Sequence, residues 1–345
     1  MRAIHLTKHS REMDTYALVE NANPPEINPD EVLIRVEYAA LNRLDNFVRI
    51  GWPGLNLAFP HIPCSDFSGT IKQVGAEVKN WQPGQRVTAN PLLWSGDDRF
   101  VLRGEQNRSA ASRLTGEHVS GTCAEFIKFP ARNLVAIPVE YNMQKAAAAS
   151  LVYVTAWHNL ITAGQLEPGE SVLIVGAGGG VNTAALQIAR MLGASTFVIA
   201  SSAEKAQKVR DSGADWVHDR SQDPQWSKAV FLATQKQGID MVVDNVGAET
   251  WGQSLRALRP GGRLVTVGGT SGYEAQVNVG LIFHKHLRII GSTMGTHVDY
   301  QRVMSLVFQN KLDPVVDSVF AMENFTDAMK HMVDGNQFGK ILIKI

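Results

Sequence analysis

Short runs in which apolar and polar residues alternate fill the first 140 or so positions: "EVLIRVEYAAL", "SGTIKQVG", "QRVTANP" and "AEFIKFP". Glycine and proline separate them, which predicts half-buried strands joined by turns in an antiparallel, barrel-like arrangement. The rhythm then changes. Strand-like runs rich in apolar residues, "VLIV", "TFVIA", "DWVHD", "DMVVDNV", "RLVTVGG" and "LRIIGS", are separated in most cases by helix-periodic stretches such as "TAALQIARMLG", "AEKAQKVRDSG" and "AETWGQSLRALRPGG". Strands apolar on both faces, each followed by a helix, predict a parallel sheet covered on both sides. Beyond residue 290 a mixed pattern returns and ends in "KILIKI". The expected fold class is α/β: a doubly wound six-stranded parallel sheet plus an antiparallel barrel-type domain. The expected boundaries are 1–150 with 286–345 for the barrel-type domain, and 151–285 for the parallel sheet.

The 345 residues exceed what one core usually supports, in keeping with two domains. Thirty-three basic residues balance thirty-three acidic ones, so nothing in the charge favours nucleic acid or an anionic membrane as partner. The start "MRAIHLTKHS" lacks the apolar centre of a signal peptide. Thr155, His158 and Asn159 interrupt the most apolar stretch, "AAAASLVYVTAWHNLITAG", which reads as a buried helix. Two cysteines, Cys64 and Cys123, are too few for a disulfide framework or a structural zinc site. The expected location is cytoplasmic.

In "VLIVGAGGGVNTAALQIAR" a buried strand runs through a glycine cluster into a helix. Glycines let the backbone approach a pyrophosphate whose charge sits at the helix N-terminus. Gly176, Ala177, Gly178, Gly179, Gly180 and Val181 form this candidate dinucleotide loop, though Val181 or Asn182 takes the slot of the last glycine in G-x-G-x-x-G. At the end of the next strand an NAD-specific site would carry an acidic residue for the ribose hydroxyls. Here Ala200 is followed by Ser201 and Ser202, with Lys205 and Arg220 further on. Hydroxyls and cations without a carboxylate suit the 2′-phosphate of NADP(H). Ser201-x-x-Glu204 has capping-box spacing, so Glu204 is expected to start the next helix. A second cluster, "PCSDFSG" at 63–69, sets Cys64, Ser65 and Asp66 side by side, as a nucleophile, part of a metal site, or neither. No base or cation lies beside Cys64 in sequence to favour a thiolate. His284 and His286 have the spacing of one strand face, a two-ligand pattern more often structural than metal-binding.

These features together resemble the medium-chain dehydrogenase/reductase superfamily over essentially the whole chain. The similarity is greatest to its zinc-free quinone oxidoreductase branch, through "AALNRLDNFVRIG", "PHIPCSDFSG", "TAWHNL", "VLIVGAGGGV", "ASSAEK", "VVDNVG", "RLVTVGGTSG" and "FGKILI". The resemblance implies a Rossmann domain inserted into a GroES-like domain. In zinc-dependent relatives the segment matching "PCSDFSG" reads Gly-His-Glu and its histidine binds the metal. By that match Ser65 replaces the histidine, Cys64 the glycine, Asn42 a cysteine ligand and Leu151 the remaining ligand. Asn, Ser and Leu do not make a zinc site. The four cysteine slots of a second, structural zinc correspond to Ser95, Asp98, Val101 and Ser109. The expectation is therefore no zinc.

The same resemblance places Asn42 where its amide can bond the substrate oxygen, with Asp45 orienting the loop and Thr155 at the nicotinamide carboxamide. Phe47, Trp52 and Ser65 line the substrate pocket by this match. Asn245, Gly247, Gly268, Gly269, Thr270, Ser292, Thr293 and Met294 contact the cofactor, with Asp244 and Gly272 ending strands at the same edge. Without a Lewis acid, a quinone or the C=C bond of an α,β-unsaturated carbonyl is the expected hydride acceptor. Two alternatives stand beside it: a non-catalytic NADPH-binding protein, and an enoyl-thioester reductase, for which the N-terminal half lacks an evident basic cluster. The segment "HLRIIGSTMG" should leave an apolar sheet edge, and relatives pair that edge in a homodimer.

Overall fold

A computed structural model describes residues 1–345. The chain divides into two compact units, Met1–Val152 with Thr296–Ile345, and Tyr153–Gly295. The second boundary thus falls ten residues later than the sequence pattern predicted. The strand Arg288–Gly291 is hydrogen-bonded to Leu258–Thr266 in the parallel sheet, so it cannot leave that unit.

The first unit is built on a seven-stranded sheet. Its centre is Glu31–Ala40, whose alternation buries Val32, Ile34 and Val36 on one face. Asp66–Val74 and Lys340–Lys344 flank it, both antiparallel, and Phe126–Pro130 pairs with its first half. The sheet departs from the expected antiparallel pattern at one edge, where Val316–Ala321 runs parallel to Lys340–Lys344. The helix Phe325–Val333 joins those two strands, and a crossover of that kind is what parallel neighbours require. Register matters most here. Ala40 faces Asp66 on one side and Leu342 on the other. Two residues further on, the same rows bring Asn42, Cys64 and Lys340 together at one end of the sheet.

In the second unit six parallel strands lie in the spatial order 216–219, 195–200, 171–175, 239–244, 258–266, 288–291. This is the order of a doubly wound dinucleotide fold, and its ligand edge is the carboxyl end of the strands. Apolar helix faces cover the sheet: Leu173, Val175, Ile199, Val242 and Leu264 share a core with Trp226, Val230 and Leu255. The apolar stretch at 150–163 is a helix, Ser150–Trp157, that widens into a π-helical turn at His158–Ala163. No helix of the chain is long and apolar enough to cross a membrane.

Candidate active site

At the sheet end of the first unit a charged pair lies out of reach of water. Asp66 is 0 % exposed, Lys340 4 % and Asn42 6 %. Lys340 Nζ donates to Asp66 Oδ2 at 2.8 Å and to Asn42 Oδ1 at 2.5 Å. Asn42 Nδ2 donates to the same Asp66 oxygen at 2.9 Å, and the other carboxyl oxygen of Asp66 accepts the Leu151 backbone N–H at 2.7 Å. Buried ions persist when paired and hydrogen-bonded in this way. The Asn42 amide, read from the sequence as a donor to substrate, is therefore held on both of its polar atoms by protein. Its second Nδ2 hydrogen is the one still available for a ligand.

Asp45, one turn into the helix Arg43–Ile50, accepts the Asn42 N–H at 2.7 Å and the Cys64 N–H at 2.8 Å. It ties two backbone segments together. Burial pushes its carboxyl up to about 6, against the opposing pull of those two N–H groups and Lys340. A raised acid pKa makes the folded state most stable below the ordinary carboxylate value and less so as pH rises through about 6. The span of some two pH units corresponds to a loss on the order of 2–3 kcal/mol. Asp45→Asn should remove that slope, which urea unfolding between pH 4.5 and pH 8 measures.

The "PCSDFSG" cluster resolves into three separate roles. Cys64 has φ +72°, in the left-handed region where a glycine would sit without strain. Its thiol is buried against that of Cys123, and burial, then the contact with that thiol, pushes its pKa well up. A thiol so placed is a core residue and no nucleophile. Ser65 is 1 % exposed and its Oγ has no hydrogen-bond partner in the protein. A buried hydroxyl without a partner is a place for a ligand or a water to bind. Asp66 anchors the ion pair. At the three positions matched to zinc ligands the chain thus offers a committed amide, one hydroxyl and a leucine, and this set does not fit a catalytic zinc.

Glu117 was not foreseen. Gly116 packs so closely on Ser65 that a Cβ there would lie 3.2 Å from Ser65 Oγ. Glu117 follows it, with its carboxyl pushed up to about 7 by burial. His118 accepts the Leu114 N–H on Nδ1 at 3.1 Å, which leaves its Nε2 as the proton-bearing nitrogen, 3.7 Å from Glu117 Oε1. Phe47 and Trp52 lie on or just after the first helix, half-buried and 37 % exposed respectively.

In the lobe, Asp98 and Ser109 are joined directly by a 2.6 Å hydrogen bond, while the other Asp98 oxygen caps the turn through Phe100 N and Val101 N. Two of the four former cysteine slots thus make a polar cross-link of their own. Neither His284 nor His286 lies on a strand: the first ends the helix Val279–His284, and the second has φ +52°.

The nucleotide unit keeps its candidate residues at one sheet edge. Gly176 has φ +102°, and a Cβ there would meet Asn182 Nδ2 at 2.7 Å. Asn182 itself donates to Val175 O and Gly176 O, and accepts from Asn245 Nδ2 at 3.1 Å. The residue that seemed to spoil the glycine fingerprint is the clamp that holds its loop. The thirteen-residue helix Gly180–Leu192 begins at Gly179 with no side-chain cap, and a Cβ at Gly179 would meet nothing within 4 Å. Open backbone N–H groups at a helix start fit a pyrophosphate. Gly247 packs on Gly269 and Gly272, with Asp244 bonding Thr250 and Ser254 behind it. Thr270 N donates to Asn245 O. Thr155 Oγ1 lies 3.9 Å from Met294 Sδ, while Gly268, Ser292 and Thr293 follow the ends of their strands. The cap of the helix Ala203–Asp211 is Ser202, whose Oγ accepts the Lys205 N–H, and not Ser201. Glu204 pairs with Lys208 instead. Arg220 N donates to Ala200 O, so Arg220 adjoins the end of the second strand.

A glycine loop at the edge of a six-stranded Rossmann sheet, joined to a GroES-like unit, defines a nucleotide-dependent oxidoreductase. Residues 28–139 match the alcohol dehydrogenase GroES-like domain, and residues 180–309 the zinc-binding dehydrogenase family. A crystal structure of an NAD-dependent alcohol dehydrogenase is 34 % identical, with a TM-score of 0.95 over 100 % of both chains. Acryloyl-coenzyme A reductase of Sulfurisphaera tokodaii is 29 % identical over 327 residues, 94 % of this chain and 96 % of its own. A crotonyl-CoA carboxylase/reductase solved in complex with NADP shares the fold at 22 % identity, with a TM-score of 0.92 over 100 % of this chain and 95 % of its own. The chain belongs to the medium-chain dehydrogenase/reductase superfamily.

Proposed function

We propose that this oxidoreductase uses NADPH, without a catalytic metal, to reduce an electron-poor acceptor: the C=C bond of an α,β-unsaturated carbonyl, or a quinone. The observation that carries the reading is the Asn42–Asp66–Lys340 cluster beside the unpartnered Ser65 hydroxyl. Without a Lewis acid an alcohol or simple ketone is harder to polarise. A conjugated acceptor takes hydride at carbon while charge gathers on its carbonyl oxygen, and N–H and O–H donors are enough to stabilise that charge. When bound, the nicotinamide supplies the hydride. Glu117, with its carboxyl near 7, is suited to give up a proton at neutral pH. Similarity to an acryloyl-coenzyme A reductase over nearly the full length supports an enoyl thioester as one member of the acceptor class.

NADPH consumption against enones, enoyl-CoA thioesters, ortho- and para-quinones, aldehydes and alcohols tests the reading. Turnover of at least one conjugated acceptor, with alcohols inert and no stoichiometric zinc by elemental analysis, is the expected result. Activity on alcohols alone, lost on chelation, would overturn it. The same reading includes a homodimer: Arg288–Gly291 pairs on one side only, and Ile289 is 40 % exposed at that edge.

A further inference from the structure

We infer that Lys340 is a positioning residue for the reaction, acting through Asn42, and the inference rests on the function proposed above. Terminal amides are symmetric in shape, and an asparagine side chain can present oxygen or nitrogen to a given neighbour. Here the neighbours decide. An ammonium has only protons to give, so the Asn42 oxygen must face Lys340; a carboxylate has only lone pairs, so the nitrogen must face Asp66. With both satisfied, the amide cannot turn over without placing nitrogen against the cation and oxygen against the anion. Its remaining N–H is thereby fixed in direction. The pull of the ammonium on the carbonyl oxygen also makes that N–H a stronger donor, as bonds in a chain polarise one another.

Lys340 reaches this place because the last strand begins there. Leu342 faces Ala40 and Leu41 N bonds Ile341 O at 3.0 Å, so the residue starting the strand lies beside the one that ends the central strand's run. The other charged groups of the cluster are Asp66, which Lys340 touches, and Asp45, which bonds backbone alone. A cation that only balanced Asp66 would have no need of the asparagine.

A double-mutant cycle separates a positioning role from a structural one. On wild type, Lys340→Met should lower kcat for an enone about tenfold or more, as expected for weakening one oxyanion donor, while the KM for NADPH changes by less than about twofold. On the Asn42→Ala background the same change should cost no further rate, because its intermediary has gone. Lys340→Arg keeps a cation and so serves as the second variant if Lys340→Met fails to fold; it should retain more activity than Met and also show no effect on Asn42→Ala. A readout independent of turnover comes from 15N-labelled protein. The Asn42 side-chain NH2 signal, assigned by its loss in Asn42→Ala, should move when Lys340 is replaced. Multiplicative rate losses in the cycle, unchanged kcat in Lys340→Met and Lys340→Arg, or an unmoved amide signal would each overturn the inference. If wild type reduces no conjugated acceptor, the proposed function fails first and this role fails with it. If wild type turns over, the cycle alone decides.

Discussion

Asp66→Ala should destabilise the protein by about 3–5 kcal/mol, the usual cost of leaving a buried charge without its partner. Three donors converge on this carboxylate, namely Lys340 Nζ, Asn42 Nδ2 and the Leu151 N–H, and its side chain has no access to water. Truncation strands all three and leaves the Lys340 ammonium, itself 4 % exposed, with the Asn42 oxygen but without its carboxylate. Folded domains commonly hold only about 5–15 kcal/mol in reserve, so the variant should accumulate poorly and unfold at much lower urea. Asp66→Ala with Lys340→Met should recover a large part of the loss, because it removes the uncompensated cation along with the anion. Urea midpoints for the two variants and wild type measure this. A single variant within about 1 kcal/mol of wild type would mean that the ammonium finds solvent and that the pair is not a buried one.

The second large effect is expected in cofactor choice. NADPH should exceed NADH in kcat/KM by roughly tenfold or more, since one charge-assisted bond to the 2′-phosphate contributes about 1.5–3 kcal/mol. Ala200→Asp should reverse the preference, because a carboxylate about 4 Å from that phosphate costs up to roughly 4 kcal/mol at an effective dielectric near 20. The sheet register sharpens the expectation. Ala200 is paired with Asp219 on the neighbouring strand, and Asp219 Oδ1 is already occupied by Ser221 N and Oγ at 2.9 and 2.7 Å. The Asp219 carboxyl is thus bonded within its own turn, and a carboxylate at 200 would stand at the end of the second strand, where wild type has none. Lys205→Ala should weaken NADPH and leave NADH nearly unchanged. Steady-state rates with both nucleotides at low salt check the set, and a wild type preferring NADH would remove the phosphate pocket from 201–205.

Periodicity located the six parallel strands because each is apolar along its length and bounded by turn residues, a signal contained within one segment. The pattern also counted "LRIIGS" among the parallel strands, while the boundary at 285 set the same residues in the other unit. Only the pairing of Leu264 with Ile289 assigns it. Helix starts carry a similar difficulty: the capping-box spacing points to Ser201, whereas the hydrogen bond from the Lys205 N–H makes Ser202 the cap. Among site residues, Asn42, Ser65 and Asp45 stood out through motif resemblance, while Lys340 and the role of Asp66 did not. Their partnership joins positions 274 residues apart, and register, not spacing, creates it. One clue was present: Lys340 opens the otherwise apolar run "ILI", a charge entering a core. Glu117 gave no such sign, for its raised carboxyl comes from burial, which its sequence neighbours do not reveal.

The distance in sequence between Asp66 and Lys340 also sets an order of events during synthesis. A ribosome adds about 5–20 residues per second, so the carboxylate emerges roughly 15–55 seconds before the ammonium that neutralises it. Until then the first half of the nascent chain holds an acid that cannot be buried cheaply, and its sheet lacks the strand beside Glu31–Ala40. Residues 153–295, by contrast, form a continuous unit whose partners are all present once Gly295 has been made. The unit of residues 153–295 should therefore fold first, in the middle of translation, and the sheet of the other unit should be completed only when the strand Lys340–Lys344 arrives.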